Sequence, residues 1–398
     1  EFGNHTRPSW GDYAQDSIPL FEQKTIEGHA VRATLFATGA TAAALENHSP
    51  EYIAAVSRLW DNMIGKRMFI TGGVGAVHFD EKFGPDYFLP TDAYLETCAA
   101  VGAGFFSQRM NELTGDAKYM DELERTLYNN VLTGISLSGT QYTYQNPLNS
   151  AKHARWSWHD CPCCPPMFLK MMSAMPGFIY SQKGSDVYVN LFVGSETEMT
   201  LADRNRVRLT QKTGYPWEGV VTMTVEPEKE KTFILKVRIP GWAQGVENPY
   251  GLYRSEVRSA VSLKVNGKSV PLKIFKGYAE IQRKWKKGDQ VELTLPVQPR
   301  LVTANEAVAD LQDKVAIAAG PFVYCLEGCD NEGLADLKVD MRSPLSITFE
   351  KGLLNGINVI KGQALDKTGK KVPVTAIPYY ALGNRQDKGY AVWIPASK

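Results

Sequence analysis

The chain has 398 residues and a formal net charge of +1 at pH 7, and 43% of its residues are hydrophobic and 22% charged. That length exceeds what one hydrophobic core supports, so we expect two or three domains. The balanced charge, without runs of one sign, argues against nucleic acid or an anionic membrane as partner, and the lack of a long apolar run argues against a membrane span.

The six cysteines are too few for a disulfide framework, which favours thiol or metal chemistry. The opening residues "EFGNHTRPSWGDYAQ" contain neither an initiator Met nor a signal pattern, so we expect the sequence to begin inside a longer gene product. The compartment stays open between the bacterial cytoplasm and the periplasm.

Residues 1–180 are predicted to form a helical domain. Apolar residues recur there at helical spacing, and the cap-type residues Ser49 and Asp116 each precede a helical segment. The predicted segments are "TIEGHAVRATLFATGATAAALEN", "SPEYIAAVSRLWDNMIGKR", "YLETCAAVGAGFFSQRMNELTGD" and "DAKYMDELERTLYNNVLTGI". Helices joined by short turns indicate helical hairpins packed side by side.

From residue 181 onward the apolar period falls to two, which is typical of strands. Examples are "DVYVNLFVG", "GVVTMTVEP", "KTFILKVRIPGW" and "DQVELTLPV", and Asn266-Gly267 is a strong hairpin signal. We therefore expect an antiparallel β-sandwich over residues 181–300. A second β-sandwich, or a continuation of the first, is expected over residues 301–398.

Candidate metal ligands occur in two stretches, "HDCPCCPPMF" with Cys161, Cys163 and Cys164, and "AYLETCAAV" with Glu96 and Cys98. Thiolates suit zinc, which takes four ligands in a tetrahedron. Residues two apart on a regular helix do not share a face, so the second pair fits best where a loop becomes a helix. Buried inert thiols and a redox pair remain alternatives to a metal site.

The stretch "TGGVGAVHFDEKFGPDYFLPTD" is a glycine-rich loop that matches no phosphate-binding pattern. It carries acidic residues, Glu81 among them, between aromatic side chains, a combination that suits sugar binding and proton transfer. A solvated acidic loop is the alternative.

Taken together, these motifs resemble glycoside hydrolase family 127, the β-L-arabinofuranosidase family, and its relative family 146. The resemblance covers nearly the whole chain in the order of the family. It rests on "EGHAVRA", "TGGVGAVHFDEKF", "ETCAAVG", "ELERTLYNNVL", "CPCCPP", "RIPGW" and "AAGPFVYCLEG". It implies an α+β multidomain protein with a helical (α/α)6-type toroid, of which this chain would hold the C-terminal half, followed by antiparallel β-sandwich domains.

The resemblance also implies roles for individual residues. The zinc ligands would be Glu96, Cys98, Cys163 and Cys164. Cys163 would also be the nucleophile and Glu81 the acid/base, with Asp80 as the neighbouring alternative. The sugar hydroxyls would be met by His29, Glu124 and Tyr144. Two differences from the family pattern stand out: Met167 occupies the place of an Asn, and the segment before "ETC" is one residue shorter.

The function implied is a retaining hydrolase that removes terminal β-L-arabinofuranosyl or related furanosyl residues from an arabinose-containing oligosaccharide or glycan. The alternatives are a glycosidase of the same family for another plant-polysaccharide sugar, a non-catalytic carbohydrate-binding protein braced by zinc, and a zinc–thiolate redox sensor. A homodimer is an open alternative to a monomer.

Overall fold

The computed structural model describes residues 11–152, 155–256 and 259–397. Residues 1–10, on which the expectation about the start of the chain rests, lie outside that part. Among the described helices, none is long and apolar enough to cross a membrane. The α-helices in chain order are α1 (Ala30–Asn47), α2 (Pro50–Asn62), α3 (Thr97–Thr114), α4 (Lys118–Thr126) and α5 (Cys164–Ala174).

The helix ends follow the local sequence. Ser49 precedes α2 with Pro50 at its first position, although the Ser49 side chain makes no capping hydrogen bond. The Asp116 carboxylate accepts the backbone N–H of Lys118 at 3.0 Å, which satisfies a free donor at the start of α4. Helix α3 stops at Gly115, which has a φ of +63°.

Helices α1 and α3 pack closely because their contact is lined by small residues. Ala37 and Ala103 are both fully buried in this core. A Cβ at Gly102 would lie 2.1 Å from Thr34 Oγ1, so only glycine permits this approach. The predicted helical domain is confirmed in this coarse sense. The five α-helices of the described residues do not by themselves close a toroid, so the (α/α)6 toroid stays a prediction.

Most strands follow α5. In chain order they are β1 (Asn149–Ser150), β2 (Tyr180–Lys183), β3 (Asp186–Val189), β4 (Ser195–Thr200), β5 (Arg206–Thr213), β6 (Val220–Pro227), β7 (Lys231–Arg238), β8 (Tyr253–Ser255), β9 (Ser262–Val265), β10 (Lys268–Ser269), β11 (Ile274–Phe275), β12 (Tyr278–Trp285), β13 (Asp289–Thr294), β14 (Pro299–Ala304), β15 (Lys314–Ala319), β16 (Phe322–Glu327), β17 (Lys338–Asp340), β18 (Ser346–Glu350), β19 (Ile357–Leu365), β20 (Lys371–Pro378), β21 (Tyr390–Ala391) and β22 (Ile394–Ser397).

Strands β2–β7 and β9–β13 form a two-layer sandwich. One sheet has the order β10-β9-β13-β6-β5-β4 and the other the order β11-β12-β7-β3-β2. Alternate side chains from both sheets meet in one core, among them Leu209, Met223, Leu235 and Trp285. The pairing is antiparallel except between β3 and β7, which run parallel. The middle of the chain is therefore β-rich as predicted, with one parallel pair that the antiparallel expectation did not include.

The C-terminal strands differ from the expected second sandwich. Six of them form a closed hydrogen-bonded ring in the order β15-β16-β20-β19-β17-β22, because β22 pairs back with β15. Along β16, Tyr324 and Leu326 face the interior of the ring, whereas Val323 and Cys325 face outward. The sequence analysis predicted β structure in this part of the chain, but closure depends on a parallel pairing of β17 with β22 that no local pattern reveals.

The outer face of this ring packs on the helical domain. Val323 and Cys325 share a core with Phe69, Leu95 and Leu148, which belong to the loops around the helices. Strand β1, from the helical part, extends the same sheet by pairing with β21. The outer face of the C-terminal ring therefore packs against the loops of the helical domain that carry predicted site residues.

Candidate active site

The N-terminal ends of α1, α3 and α5 meet at one point of the helical domain. The residues immediately before these helices are His29, Glu96 and Cys163, respectively. Helix N-termini carry unpaired N–H groups and a partial positive charge, so a group of anionic side chains is favoured there. Glu96 lies directly before α3 and Cys98 in its first turn, as the loop-to-helix expectation required.

One group at this point has the composition of a metal site. Ligand atoms of Glu96, Cys98, Cys163 and Cys164 all lie within 4.8 Å of one another. The sulfur of Cys164 lies 3.4 Å from that of Cys98 and 3.8 Å from that of Cys163. The sulfur of Cys163 lies 3.4 Å from Glu96 Oε1. Tetrahedral zinc with ordinary bond lengths separates two sulfurs by about 3.8 Å and a sulfur from an oxygen by about 3.5 Å, so the spacing fits.

The electrostatics of the group also fit a cation. Glu96 Oε2 is buried and has no hydrogen-bond partner among the described residues, which is costly unless a positive charge lies next to it. Burial and the negative charge of Cys163 raise the pKa of Glu96 to about 9. Hydrogen bonds from Cys164 and Cys98 lower the pKa of Cys163. The same hydrogen bonds to Cys163 are the main cause that raises the pKa values of Cys98 and Cys164. The four residues therefore suit a thiophilic divalent ion, which would let all of them ionise together.

The second group surrounds Glu81, which lies close to Glu96 and His29. Three side chains from separate parts of the chain contact the carboxyl group of Glu81. Tyr94 donates its hydroxyl to Oε1 at 2.7 Å, Tyr144 donates to the same oxygen at 3.4 Å, and His29 Nε2 lies 3.0 Å from Oε2. The backbone of Glu81 has a φ of +52°, an unfavourable value for a residue other than glycine.

His29 is held in one tautomer by its position before α1. Its Nδ1 accepts the backbone N–H of Arg32 at 3.4 Å, so Nε2 carries the proton and donates to Glu81. Burial lowers the pKa of His29, which favours the neutral imidazole, although the charge of Glu81 opposes this shift. The ring of Tyr13 contacts His29 edge-on at 5.3 Å and limits its rotation.

Aromatic side chains form one wall of the site. The ring of Trp156 stacks on His159 with centroids 4.6 Å apart, and Tyr144 contacts both rings. Tyr144 is 6% exposed, so little more than its hydroxyl edge reaches the site. Met167, at the place of the family Asn, packs against the cluster of Cys98, Tyr142, Tyr144 and Cys164.

The structure brings most of the predicted site residues together. They are His29, Glu81, Glu96, Cys98, Tyr144, Cys163 and Cys164. Asp80, the alternative to Glu81, is instead paired with Lys82 at 3.2 Å. Tyr94 was missed by the sequence analysis, because no pattern shows that the turn around Glu81 folds back onto it.

Glu124 lies in a different environment from the one expected of a sugar contact. It is 1% exposed, and its carboxylate pairs with Arg238 of β7. Tyr215 donates to it at 2.9 Å and Trp242 Nε1 at 3.4 Å, so its oxygens accept hydrogen bonds from residues of the sandwich core. The substrate contact predicted for Glu124 is therefore not supported by its neighbours, which assign it to the junction of α4 with the sandwich.

The chain is thus a multidomain α+β protein with a carboxylate–thiolate site in its helical part, followed by β-rich domains. Family models for the β-L-arabinofuranosidase GH127 catalytic domain, the GH127 middle domain and the glycoside hydrolase family 127 C-terminal domain match residues 2–177, 186–297 and 299–395. The chain belongs to glycoside hydrolase family 127.

Comparison with individual proteins agrees with this family assignment. The chain is 29% identical over 415 residues to the non-reducing end β-L-arabinofuranosidase of Bifidobacterium longum subsp. longum, a match that covers 94% of this chain and 60% of the relative. A solved GH127 β-arabinofuranosidase superposes with a TM-score of 0.93 at 38% identity, covering 99% of this chain and 63% of that one. A GH127 β-L-arabinofuranosidase from Geobacillus stearothermophilus T6 gives 0.91 at 36% identity, covering 98% and 65%. The chain thus spans about three-fifths of the length of the curated relative.

Proposed function

We propose that this chain carries the catalytic site of a retaining glycoside hydrolase that removes terminal β-L-arabinofuranosyl residues from arabinose-containing glycans. The observation that carries the proposal is the meeting of Glu81 with the group of Glu96, Cys98, Cys163 and Cys164. A retaining glycosidase needs a nucleophile and an acid/base beside one anomeric carbon, and this group offers both.

The proposed nucleophile is Cys163 and the proposed acid/base is Glu81. In the first step Cys163 Sγ attacks the anomeric carbon, the bond to the leaving oxygen breaks, and Glu81 gives its proton to that oxygen. In the second step Glu81 takes a proton from water, whose oxygen replaces the sulfur and releases the thiolate. Two displacements at the same carbon retain its configuration.

The metal ligands and the sugar contacts complete the proposal. Zinc held by Glu96, Cys98, Cys163 and Cys164 would keep the thiols deprotonated near neutral pH. Cys163 is half-buried, and its sulfur lies 3.4 Å from Glu96 Oε1. The neutral imidazole of His29 and the hydroxyl of Tyr144, both already directed at Glu81, would bind hydroxyls of the terminal sugar.

The test uses the full-length protein and p-nitrophenyl β-L-arabinofuranoside under reducing conditions. We expect about one zinc per chain, release of β-configured arabinose detected by NMR, and a loss of at least about a hundredfold in turnover for Cys163→Ala and Glu81→Gln. The matched controls are Cys329→Ala, a half-buried thiol of the C-terminal ring, and Asp80→Asn, the acid next to Glu81. Full activity of the Cys163→Ala or Glu81→Gln variant would contradict the assignment. Zinc binding without turnover would redirect the search to another sugar or to a binding function.

A further inference from the structure

Tyr94 makes the shortest of the hydrogen bonds to Glu81. Its hydroxyl lies 2.7 Å from Oε1, against 3.0 Å for His29 on Oε2 and 3.4 Å for Tyr144 on Oε1. The shortest hydrogen bond constrains the position of its acceptor most, and a tyrosine hydroxyl can donate to either form of a carboxyl group. Tyr94 is therefore the group that holds the Glu81 carboxylate most directly.

The side chain of Tyr94 is placed to hold Glu81 and not to bind substrate. It is 7% exposed and belongs to the cluster that contains Cys98, Tyr142 and Cys164. Its backbone is fixed on both sides, because its N–H donates to the carbonyl of Ala76 at 3.3 Å and its carbonyl accepts the N–H of Asn146 at 3.1 Å. A side chain anchored in this way presents only its hydroxyl to the site.

The backbone of Glu81 is held within its turn, because its N–H donates to the carbonyl of His78 at 3.3 Å and the flanking Val77 and Lys82 exchange backbone hydrogen bonds. Glu81 ends a single 3-10 turn (Phe79–Glu81), and both Asp80 and Glu81 have positive φ values, +56° and +52°. Phe79, in the same turn, is 74% exposed and provides little packing. An unfavourable backbone persists only where surrounding contacts specify it, and here backbone hydrogen bonds hold the turn while the hydrogen bonds to the side chain place the carboxyl group.

We propose that Tyr94 is a positioning residue that holds the Glu81 carboxylate where it can protonate the leaving-group oxygen. Tyr94 lies in the same five-residue segment, 94–98, as Glu96 and Cys98, so one rigid stretch of chain sets the acid/base relative to the group that contains the nucleophile. The inference rests on the proposed function. It assigns to Tyr94 a share of acid catalysis that neither the sequence pattern nor the family match provides.

The test compares two leaving groups in Tyr94→Phe, which removes only the hydroxyl. Methyl β-L-arabinofuranoside has a poor leaving group and needs protonation by Glu81, whereas the 2,4-dinitrophenyl glycoside does not. For Tyr94→Phe we expect kcat/KM to fall at least about tenfold on the methyl glycoside and by less than about threefold on the dinitrophenyl glycoside. The control is Tyr142→Phe, because the Tyr142 hydroxyl belongs to the same cluster and is buried without a hydrogen-bond partner.

The ratio of the two kcat/KM values decides the question, because it does not depend on the fraction of the variant that is correctly folded. The positioning role is supported if kcat/KM on the dinitrophenyl glycoside, divided by kcat/KM on the methyl glycoside, rises in Tyr94→Phe and stays constant in Tyr142→Phe. Equal losses on both substrates, or no loss on either, would overturn it. A parent protein that cleaves neither glycoside would refute the proposed function itself, and the inference would fall with it.

Discussion

The two roles considered for Glu124, a sugar contact and a structural clamp, lead to opposite expectations for Glu124→Gln. In the structure the carboxylate of Glu124 is met by Arg238, Tyr215 and Trp242, all of them donors. A glutamine at this place offers one acceptor oxygen instead of two. Its NH2 group would point at other hydrogen-bond donors and could accept none of their hydrogen bonds. Arg238 would keep only Asp121, at 2.6 Å, as its anionic partner.

The magnitude follows from the burial of the pair, since Arg238 is fully buried and Glu124 is 1% exposed. Removing one partner of a buried ion pair costs about 3–5 kcal/mol. In a folding unit of 150–250 residues, that corresponds to a fall in Tm of roughly 6–20 °C. We therefore expect Glu124→Gln to unfold at clearly lower temperature while KM, measured on the folded variant at low temperature, stays within about twofold of the parent.

Differential scanning calorimetry and steady-state kinetics on the same preparations check this. Glu46→Gln is the control, because Glu46 is an exposed carboxylate of α1 and its neutralisation should change stability by no more than about 0.5 kcal/mol. A Tm equal to that of the parent together with a KM raised tenfold or more would refute the clamp and restore Glu124 as a sugar contact.

Three further outcomes are expected. Cys98→Ser should lower the zinc content well below one per chain and lower Tm, whereas Cys161→Ser, which changes an exposed thiol outside the group of four, should change neither, as metal analysis and calorimetry would show. Burial raises the pKa of Glu122 from 4.5 to about 7, so folding takes up a proton and stability falls as the pH rises from about 4.5 to 7. Glu122→Gln should flatten this part of a pH series of chemical denaturation, and an unchanged slope would contradict the assignment. Trp285→Ala should cost about 3–5 kcal/mol, because Trp285 is fully buried in the sandwich core, and a loss below about 1 kcal/mol would show that this core is loosely packed.

Local features of the fold were predictable because local physics determines them. Gly115 ends α3 through a left-handed backbone conformation. Asp116 starts α4 by accepting a backbone N–H with its side chain. Both features follow from residue type. Strands such as β6 and β7 alternate buried and mostly half-buried residues along much of their length. The closed ring of C-terminal strands was not predictable in this way, because its closure joins β17 and β22 from distant parts of the sequence.

The site shows the same division. Thiols and a carboxylate in two short stretches suggested candidate metal ligands, Cys161 among them, and the family resemblance reduced these to the four residues that the structure brings together. Glu124 carries a common side chain on a helix, and whether it meets a sugar or an arginine is decided by Arg238, 114 residues away. Tyr94 carries no chemical signal of its own, since tyrosines fill cores far more often than they orient carboxylates.

The placement of His29, Glu96 and Cys163 directly before three helices explains how so much negative charge can be gathered in a buried place. With a divalent ion, three thiolates and a carboxylate give the site a formal charge of −2. Each helix N-terminus contributes the equivalent of roughly half a positive charge, so the three ends together offset most of it. In the proposed mechanism, this positive potential would help a cysteine take the place of the carboxylate nucleophile of other retaining glycosidases.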